Sequence, residues 1–358
     1  MINIAKPQIG DEEKKAVLEV LDSGIIAQGP RVAAFEEAFA QMCGVKYAVA
    51  TTSGTTALHV ALLAHGIGPG DEVITSPFTF IASTNSILYT GAKPVFVDID
   101  PYTFNLNPYL IEDAITSRTR AILPVHLYGL SCDMEPIMAC ADKYGLVVIE
   151  DACQSHKAGY HGRRVGSFGT GVFSLYPTKN ITSAEGGMIT TNDANLMDKC
   201  RMIRQHGMRK RYHHEELGFN FRMTDIHAAI GLAQLAKLER FNRARQENAS
   251  YLSAHLNGVI TPFVPEGYEH VFHQYTVRVP NGQRDTLKSY LQEHGVGSEV
   301  YYPIPVHKQS FYTGQLGYDV CLPESERASQ EVLSLPVHPA LSPTDLEVIV
   351  TQVNQFFA

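Results

Sequence analysis

The chain has 358 residues, of which 44% are hydrophobic and 18% are charged. This composition is typical of a globular protein and excludes a disordered one. The formal net charge of −8 offers no electrostatic attraction to nucleic acids or anionic membranes, so neither is predicted as a partner. No apolar run approaches the roughly 20 residues that span a bilayer, and the N-terminal segment has no apolar signal core.

The cysteines and histidines predict neither a disulfide framework nor a metal site. The six cysteines are scattered without a CxxC pair, and the fifteen histidines include no HExxH spacing. Unpaired cysteines are typical of a reducing compartment. We therefore expect a cytoplasmic protein without a bound metal.

Two helices are predicted first, over residues 12–23 and 31–43, and a regular alternation of strands and helices follows. β-branched runs separated by helical patterns of 10–15 residues are typical of a mainly parallel sheet wrapped by helices. The fold class predicted for this part is therefore α/β. The predicted strands lie at residues 47–51, 72–75, 94–100, 121–125, 146–149, 172–175 and 188–192; the helices between them include one at residues 108–115.

The C-terminal part has a different rhythm, with long helices at residues 224–238 and 243–255 before it. A strand at 273–279, a helix at 285–294, a strand at 298–301 and two closing helices predict a smaller α+β domain. We expect a large domain over residues 1–245 and a small domain over residues 246–358, with the N-terminal helices able to pack on either. Between the last strand of the large domain and helix 224–238, a polar segment at 207–223 is too long for an ordinary connection.

Several strands of the predicted sheet end in polar residues. In open α/β sheets ligands bind outside the carboxyl ends of the strands. The loops at Ser53, Pro77, His126 and Asp151 should therefore be neighbours in space.

The run Ser53-Gly54-Thr55-Thr56 lies between a predicted strand and a predicted helix. Free N–H groups at a helix N-terminus favour a phosphate, and glycine permits its close approach. An ordinary serine N-cap explains the same residues, so both interpretations stay open.

Asp151 directly follows the apolar run at 146–149, and Lys179 lies just past the run at 172–175. A carboxylate at the end of a buried strand needs a cation, a helix end or water. Alone, Asp151 is as well explained by exposure at the strand tip, and Lys179 is better explained as an ordinary surface lysine. Binding of pyridoxal phosphate requires three parts: a phosphate cradle, an acid that can hold a ring nitrogen protonated, and a lysine that can form an imine. Phe78 and Phe80 lie at the same predicted edge and could stack on the ring.

The chain resembles the DegT/StrS-type nucleotide-sugar aminotransferases, which are fold-type I enzymes that use pyridoxal phosphate. The resemblance covers nearly the whole length and is specific in combination. It rests on the segments SGTTALHVAL, GIGPGDEVITSPFTFIAS, GAKPVFVDIDP, PVHLYG, VIEDACQSHKA, GRRVGSFG, FSLYPTKNITSAEGG, RQHGM, GFNFRMTDIHAAIGLAQL and YYPIPVHKQ.

The resemblance implies a role for each matching residue. Lys179 matches the lysine that bonds the cofactor and then moves the proton during catalysis. Asp151 matches the partner of the pyridinium nitrogen, Gln154 the group facing the ring hydroxyl, and Phe80 the stacking aromatic. The matches to the phosphate ligands are Gly54, Thr55 and Ser174.

The resemblance also implies a homodimer, because Asn220 matches a residue that reaches the phosphate of the neighbouring subunit's cofactor. Three residues, Tyr301, Tyr302 and His307, fall in a stretch that lies near the sugar in the family. Two departures stand out: Ala184 replaces a glycine that often follows the lysine, and Cys153 replaces an alanine against the ring face. Neither departure puts the activity in doubt.

The implied function is transfer of an amino group, with L-glutamate as the expected donor, to a nucleotide-linked keto-sugar. One alternative is a pyridoxal-phosphate-dependent sugar dehydratase, which Lys179 disfavours because such relatives carry histidine there. The other is a regulatory or binding protein without turnover. A nicotinamide oxidoreductase is disfavoured because the glycines at 66–70 follow a helix and precede a strand.

Overall fold

The computed structural model describes residues 1–358 and contains eleven α-helices and fourteen β-strands. The helices are α1 (Asp11–Ser23), α2 (Pro30–Cys43), α3 (Gly54–Ala64), α4 (Ile81–Tyr89), α5 (Met134–Tyr144), α6 (Ala194–Arg204), α7 (Asp225–Leu235), α8 (Leu238–His255), α9 (Arg284–Glu293), α10 (Pro323–Glu331) and α11 (Pro343–Phe357). The strands are β1 (Tyr47–Thr51), β2 (Glu72–Thr75), β3 (Lys93–Phe96), β4 (Thr119–Leu123), β5 (Val147–Asp151), β6 (Gly159–Tyr160), β7 (Arg163–Arg164), β8 (Thr170–Ser174), β9 (Gly187–Thr191), β10 (Met208–Lys210), β11 (His213–His214), β12 (Tyr268–Glu269), β13 (Tyr275–Arg278) and β14 (Val332–Leu335).

A seven-stranded sheet in the order β1-β9-β8-β5-β4-β2-β3 forms the centre of the molecule. The four neighbouring pairs from β8 to β3 are parallel, and β9 runs antiparallel to both of its neighbours. The predicted α/β class with a mainly parallel sheet is therefore confirmed. Because β9 is the only reversed strand, the loops after β1, β2, β4, β5 and β8 all leave the same edge of the sheet.

Helices cover both faces of this sheet, which explains why its strands are apolar on both sides. Val73 packs in the cluster that contains Leu58 of α3, whereas its neighbour Ile74 packs in the cluster that contains Ile137 of α5. All four residues are buried. The sheet thus forms a rigid platform, and the polar residues at its edge are held by buried strands.

The C-terminal part is built on α8 and on the antiparallel pair β13–β14, in which Tyr275 lies opposite Leu335. Helices α9, α10 and α11 complete it, as the predicted α+β pattern requires. The predicted domain boundary at residue 245 falls inside α8, and this division stays a prediction.

Two local predictions were wrong. Residues 108–115 form two short 3-10 turns and not one helix: Pro108 starts the first turn, which ends at Ile111, and the second turn ends at Ile115 in extended backbone. Residues 298–301 form only an isolated bridge between Glu299 and Ser334. The strand that pairs with β13 is β14, a four-residue strand that directly follows α10 and that was not predicted.

The polar segment at 207–223 is ordered around the short hairpin of β10 and β11. None of the eleven helices combines the length and the apolar character needed to cross a membrane.

Candidate active site

Asp151 is the last residue of β5 and is only 3% exposed. Its Oδ2 accepts a hydrogen bond from Ser83 Oγ at 2.7 Å, and its Oδ1 accepts one from the backbone N–H of Cys153 at 3.1 Å. No cationic side chain pairs with this carboxylate. A buried carboxylate held by two hydrogen bonds but lacking a cation is suited to a cationic group of a ligand.

Lys179 lies in the loop that follows β8 and is half-buried. Its amine forms neither an ion pair nor a hydrogen bond with the protein, although many protein atoms surround it. Desolvation lowers the pKa of Lys179, while the nearby Cys153 and Asp151 act in the opposite direction. A lysine whose pKa is lowered in this way carries more neutral amine, which is the nucleophilic and basic form.

Gly54 and Thr55 begin α3, directly after the N-cap Ser53, whose hydroxyl accepts from Thr56 N at 3.2 Å. The N–H groups of Gly54 and Thr55 have no intrahelical acceptor, as expected at a helix N-terminus. A Cβ atom at Gly54 would lie 2.7 Å from Cβ of Ser174, too close for any side chain. Glycine therefore lets the helix end approach β8, so that the free N–H groups and the Ser174 hydroxyl are suited to bind an anion.

The side-chain amide of Gln154 connects three segments at the edge of the sheet. Its Oε1 accepts a hydrogen bond from Tyr128 N at 2.9 Å, and its Nε2 donates to the Tyr302 hydroxyl at 3.2 Å. The Tyr128 hydroxyl donates in turn to the carbonyl of Tyr301. This network brings Tyr301 and Tyr302, from the C-terminal part, to the same place as Asp151.

Phe80 precedes α4 and leaves 56% of its surface exposed, which is unusual for a phenylalanine at a buried sheet edge. Its ring centroid lies 6.2 Å from that of Tyr302, with an angle of 37° between the planes. An exposed aromatic face at this position can stack on a planar ligand.

Two of the predicted residues lie apart from this cluster. Asn220 is exposed and pairs through its backbone with Gln205, so its side chain is free to reach outside this chain. His307 is buried, with its Nε2 3.2 Å from Glu326 Oε1. The roles predicted for Asn220, Tyr301, Tyr302 and His307 stay predictions.

Sequence reasoning missed Ser83 and Tyr128. Ser83 lies in the first turn of α4 and is buried, and its contact with Asp151 arises from the packing of α4 against the end of β5. No pattern in the sequence indicated this contact. Tyr128 carried no signal either, because its left-handed backbone with φ of 59° is visible only in the structure.

Comparison with known proteins identifies the family. The family described as DegT/DnrJ/EryC1/StrS aminotransferase matches residues 7–354. The chain belongs to this family. The resemblance predicted from the sequence is confirmed.

Two curated relatives illustrate the range of the family. The pleiotropic regulatory protein of Geobacillus stearothermophilus is 44% identical, and the match covers 98% of this chain and 95% of that protein. GDP-perosamine synthase of Caulobacter vibrioides is 43% identical, and the match covers 99% of this chain and 98% of that protein.

Two solved structures show the same fold in this family. Streptomyces venezuelae DesV, solved in complex with a ketimine intermediate, matches with a TM-score of 0.93 and 39% sequence identity, and the match covers 97% of this chain and 94% of that chain. Bacillus subtilis NtdA, solved with bound pyridoxamine phosphate, matches with a TM-score of 0.90 and 34% sequence identity, and the match covers 96% of this chain and 82% of that chain.

The cofactor of this family is pyridoxal phosphate, and the residues present fit it. The space that a Cβ at Gly54 would close is left open beside the free helix N-terminus, as a phosphate requires. Asp151 lacks a cationic partner of its own and so can pair with a protonated ring nitrogen. Lys179 has the unpaired amine that an aldehyde would need.

Proposed function

We propose that this aminotransferase moves an amino group from L-glutamate to the ketone of a nucleotide-linked sugar. The observation that carries the proposal is the combination of an unpaired Lys179 amine and an unpaired, buried Asp151 carboxylate beside the free N-terminus of α3. The similarity to GDP-perosamine synthase supports a nucleotide-linked sugar as the acceptor.

When bound, pyridoxal phosphate supplies an electron sink for the carbon that loses a proton. Asp151 would hold the proton on the ring nitrogen, and Ser83 would keep the carboxylate in place. The neutral amine of Lys179 would take the proton from the amino-bearing carbon and return it two atoms away. Gln154 would face the ring hydroxyl.

The remaining predicted ligands would fix the position of the cofactor. Gly54, Thr55 and Ser174 would bind its phosphate, and Phe80 would cover one face of its ring. Tyr301, Tyr302 and His307 are proposed near the sugar. Tyr302 has the strongest support of these three, because its hydroxyl bonds the same amide, Gln154, that would face the ring.

We also propose a cytoplasmic homodimer in which Asn220 completes the neighbouring site. The exposure of Asn220 supports this arrangement. A second support is the apolar groove beside the loop of Lys179, lined by Ile9, Val17, Leu18 and Ile230, which a second copy would cover. Six free cysteines support a reducing compartment.

The decisive experiment follows the visible absorbance of the cofactor-loaded protein. On the proposed function, L-glutamate bleaches the cofactor band, and one member of a panel of nucleotide-linked keto-sugars restores it and becomes aminated. The similarity to a regulatory protein favours one second candidate, a sensor without turnover. A band that persists in glutamate supports the sensor and contradicts the aminotransferase.

The first prediction is that Lys179→Ala abolishes transamination, because no other amine with a lowered pKa lies beside Asp151. The variant should still bind pyridoxal phosphate, since the phosphate cradle and Asp151 remain. Measuring sugar amination by mass spectrometry, with cofactor content as the control, checks this. Wild-type turnover in the variant would overturn the proposed role of Lys179.

A further inference from the structure

Asn220 lies between two phenylalanines whose rings stack on each other. The ring centroids of Phe219 and Phe221 are 4.8 Å apart, and the angle between the ring planes is 3°. Both rings are half-buried against the core, whereas Asn220 is exposed. The bridge between Asn220 and Gln205 keeps this segment extended, so successive side chains point to opposite sides. The stacked pair therefore holds the segment from the inside and leaves Asn220 pointing outward.

His59 of α3 packs against this pair. Its ring centroid lies 5.1 Å from that of Phe219 and 6.2 Å from that of Phe221. Tyr89, at the end of α4, lies on the same histidine, with 5.7 Å between the ring centroids. Desolvation lowers the pKa of the half-buried His59, so its ring is neutral near pH 7 and packs as an aromatic. These four side chains form an aromatic cluster that joins two helices to the segment 219–221.

Backbone hydrogen bonds hold the same segment on both sides. Thr52, directly before the N-cap of α3, donates its N–H to the carbonyl of Phe221 at 3.0 Å. Phe219 donates its N–H to the carbonyl of Ile203, in α6, at 2.7 Å. The segment is thus fixed to the start of α3 by its backbone and to the middle of α3 by the aromatic cluster.

His59 could act on either of two cofactor sites. Its helix begins with Gly54 and Thr55, which are proposed to bind the phosphate in the same chain, so one route leads to that site. Every aromatic partner of His59, however, lies on α4 or on the segment 219–221. The contacts with that segment lead to Asn220, and through it to the site of a second subunit.

We propose that His59 is a positioning residue for the neighbouring subunit's site, where it holds the Phe219–Phe221 pair so that Asn220 reaches the cofactor phosphate. A side-chain amide can donate a hydrogen bond to a phosphate oxygen, provided that its backbone is held in place. A segment fixed by rings on one side and exposed on the other meets that requirement. The inference rests on the proposed function, because it needs the homodimer in which Asn220 completes the second site.

Titration of the cofactor-free dimer with pyridoxal phosphate tests the first consequence. Loss of a hydrogen bond to a charged group weakens binding about tenfold, and we expect the dissociation constant of the cofactor to rise by that factor in His59→Ala. His59→Phe keeps an aromatic ring and should restore the wild-type value. His65→Gln is the matched control at the end of α3, because His65 bonds Thr170 and lies outside the cluster. An unchanged constant in His59→Ala would overturn the proposal.

Subunit exchange then decides which of the two sites His59 serves. His59→Ala is mixed in equal amounts with Lys179→Ala, at a cofactor concentration that fills only wild-type sites. If His59 acts on the neighbouring site, each mixed dimer has one site with both defects and one intact site, and about a quarter of wild-type amination returns. If His59 acts on its own chain, or only stabilises the fold, no intact site forms. Absence of recovery would therefore overturn the proposal.

Phe221→Leu covers the case in which His59→Ala does not fold, since leucine stays apolar and removes the stacked ring. It should show the same weaker cofactor binding and the same recovery with Lys179→Ala, and the lack of either would overturn the proposal. Failure of the proposed function is distinguishable, because the wild-type cofactor band would then persist in L-glutamate. Failure of the shared site is equally distinct, because exchange of Asn220→Asp with Lys179→Ala would then return no activity.

Discussion

Ser83 is the residue through which the fold would position the catalytic carboxylate. It belongs to α4, whereas Asp151 belongs to β5, and their 2.7 Å hydrogen bond is buried. Hydrogen-bond partners that orient metal ligands are worth about 10- to 100-fold in affinity or activity, and we expect an effect at the lower end of that range for the partner of Asp151. We predict that Ser83→Ala lowers the rate of sugar amination by about tenfold, while glutamate still bleaches the cofactor band completely.

Ser86→Ala is the matched control for this prediction. Ser86 lies on the same helix and is also buried, but its hydroxyl donates to the carbonyl of Ser83 and does not contact Asp151. It should leave the rate within about twofold of wild type after correction for cofactor content. Equal rates in Ser83→Ala and Ser86→Ala would show that the hydroxyl does not position Asp151.

At the scale of elements, the loop after Lys179 carries a strained residue. Ala184 has φ of 66°, in the left-handed region that favours glycine, and it is exposed. A non-glycine residue in this region costs about 1 kcal/mol. Relief of this strain in Ala184→Gly is partly offset by the greater freedom of glycine in the unfolded chain. We predict a net increase of about 0.5 to 1 kcal/mol in the free energy of unfolding.

Urea unfolding at fixed protein and cofactor concentrations measures this difference. Ala236→Gly serves as the control, because Ala236 is the C-cap of α7 with a right-handed backbone of φ −62°. There glycine should destabilise the protein. A loss of stability in Ala184→Gly as well would contradict the strain.

Long periodic elements were predictable from the sequence, and short buried ones were not. Helices α2, α5, α6 and α8 have faces or caps that fix their limits to within a few residues, apart from the first turns of α8. β14 is a four-residue run whose pairing with β13 depends on residues more than fifty positions away. Such a run has no periodicity of its own to separate it from a helix end.

The site follows the same division. Asp151 and Lys179 stand at the ends of buried strands, so the topology alone brings them to one edge of the sheet. The residues that hydrogen-bond to Asp151 and to Gln154 could not be predicted in the same way. The contact of Ser83 with Asp151 and the bond of Gln154 to Tyr302 arise from tertiary packing between distant segments, which no pattern in the chain encodes.

At the scale of the whole molecule, the proposed homodimer makes a quantitative prediction. Lys179→Ala and Asn220→Asp should each be nearly inactive alone, the second because a carboxylate would face the cofactor phosphate. In a mixed dimer one site contains both defects, and the other contains neither. Subunits exchanged at equal amounts should therefore regain about a quarter of wild-type activity, since about half of the dimers are mixed.

Amination rates measured before and after subunit exchange check this result. Mixing Lys179→Ala with Asp151→Ala is the control, because both residues come from one chain in each site and no intact site forms. Recovery in this control, or none with Asn220→Asp, would contradict a site shared between subunits.

The pH dependence of stability is also a property of the whole molecule. Desolvation lowers the pKa of His65 to about 4, and that of His156 and His270 to about 3 each. Unfolded histidines bind protons below pH about 6.5. Between that pH and about 4, the unfolded chain therefore holds more protons than the folded one, and stability falls as pH falls.

Each such histidine contributes about 1.4 kcal/mol per pH unit within this window. Glu13, with its pKa lowered to about 2, adds its own loss only below the ordinary glutamate range. The window from pH about 6.5 to 4.5 is therefore controlled mainly by the histidines. We predict a steep decrease in the free energy of unfolding of the cofactor-free protein across it, measured by urea unfolding in steps of pH.

His65→Gln tests the cause, because glutamine can keep the hydrogen bond that His65 Nε2 forms with Thr170 Oγ1 at 2.8 Å. Desolvation lowers the pKa of eight histidines in all, so the loss of His65 alone should make the slope of stability against pH shallower by at most about 1.4 kcal/mol per pH unit. His255→Gln, at an exposed position near the end of α8, should leave the slope unchanged. An unchanged slope in His65→Gln would mean that His65 gains its proton as readily in the folded chain as in the unfolded one.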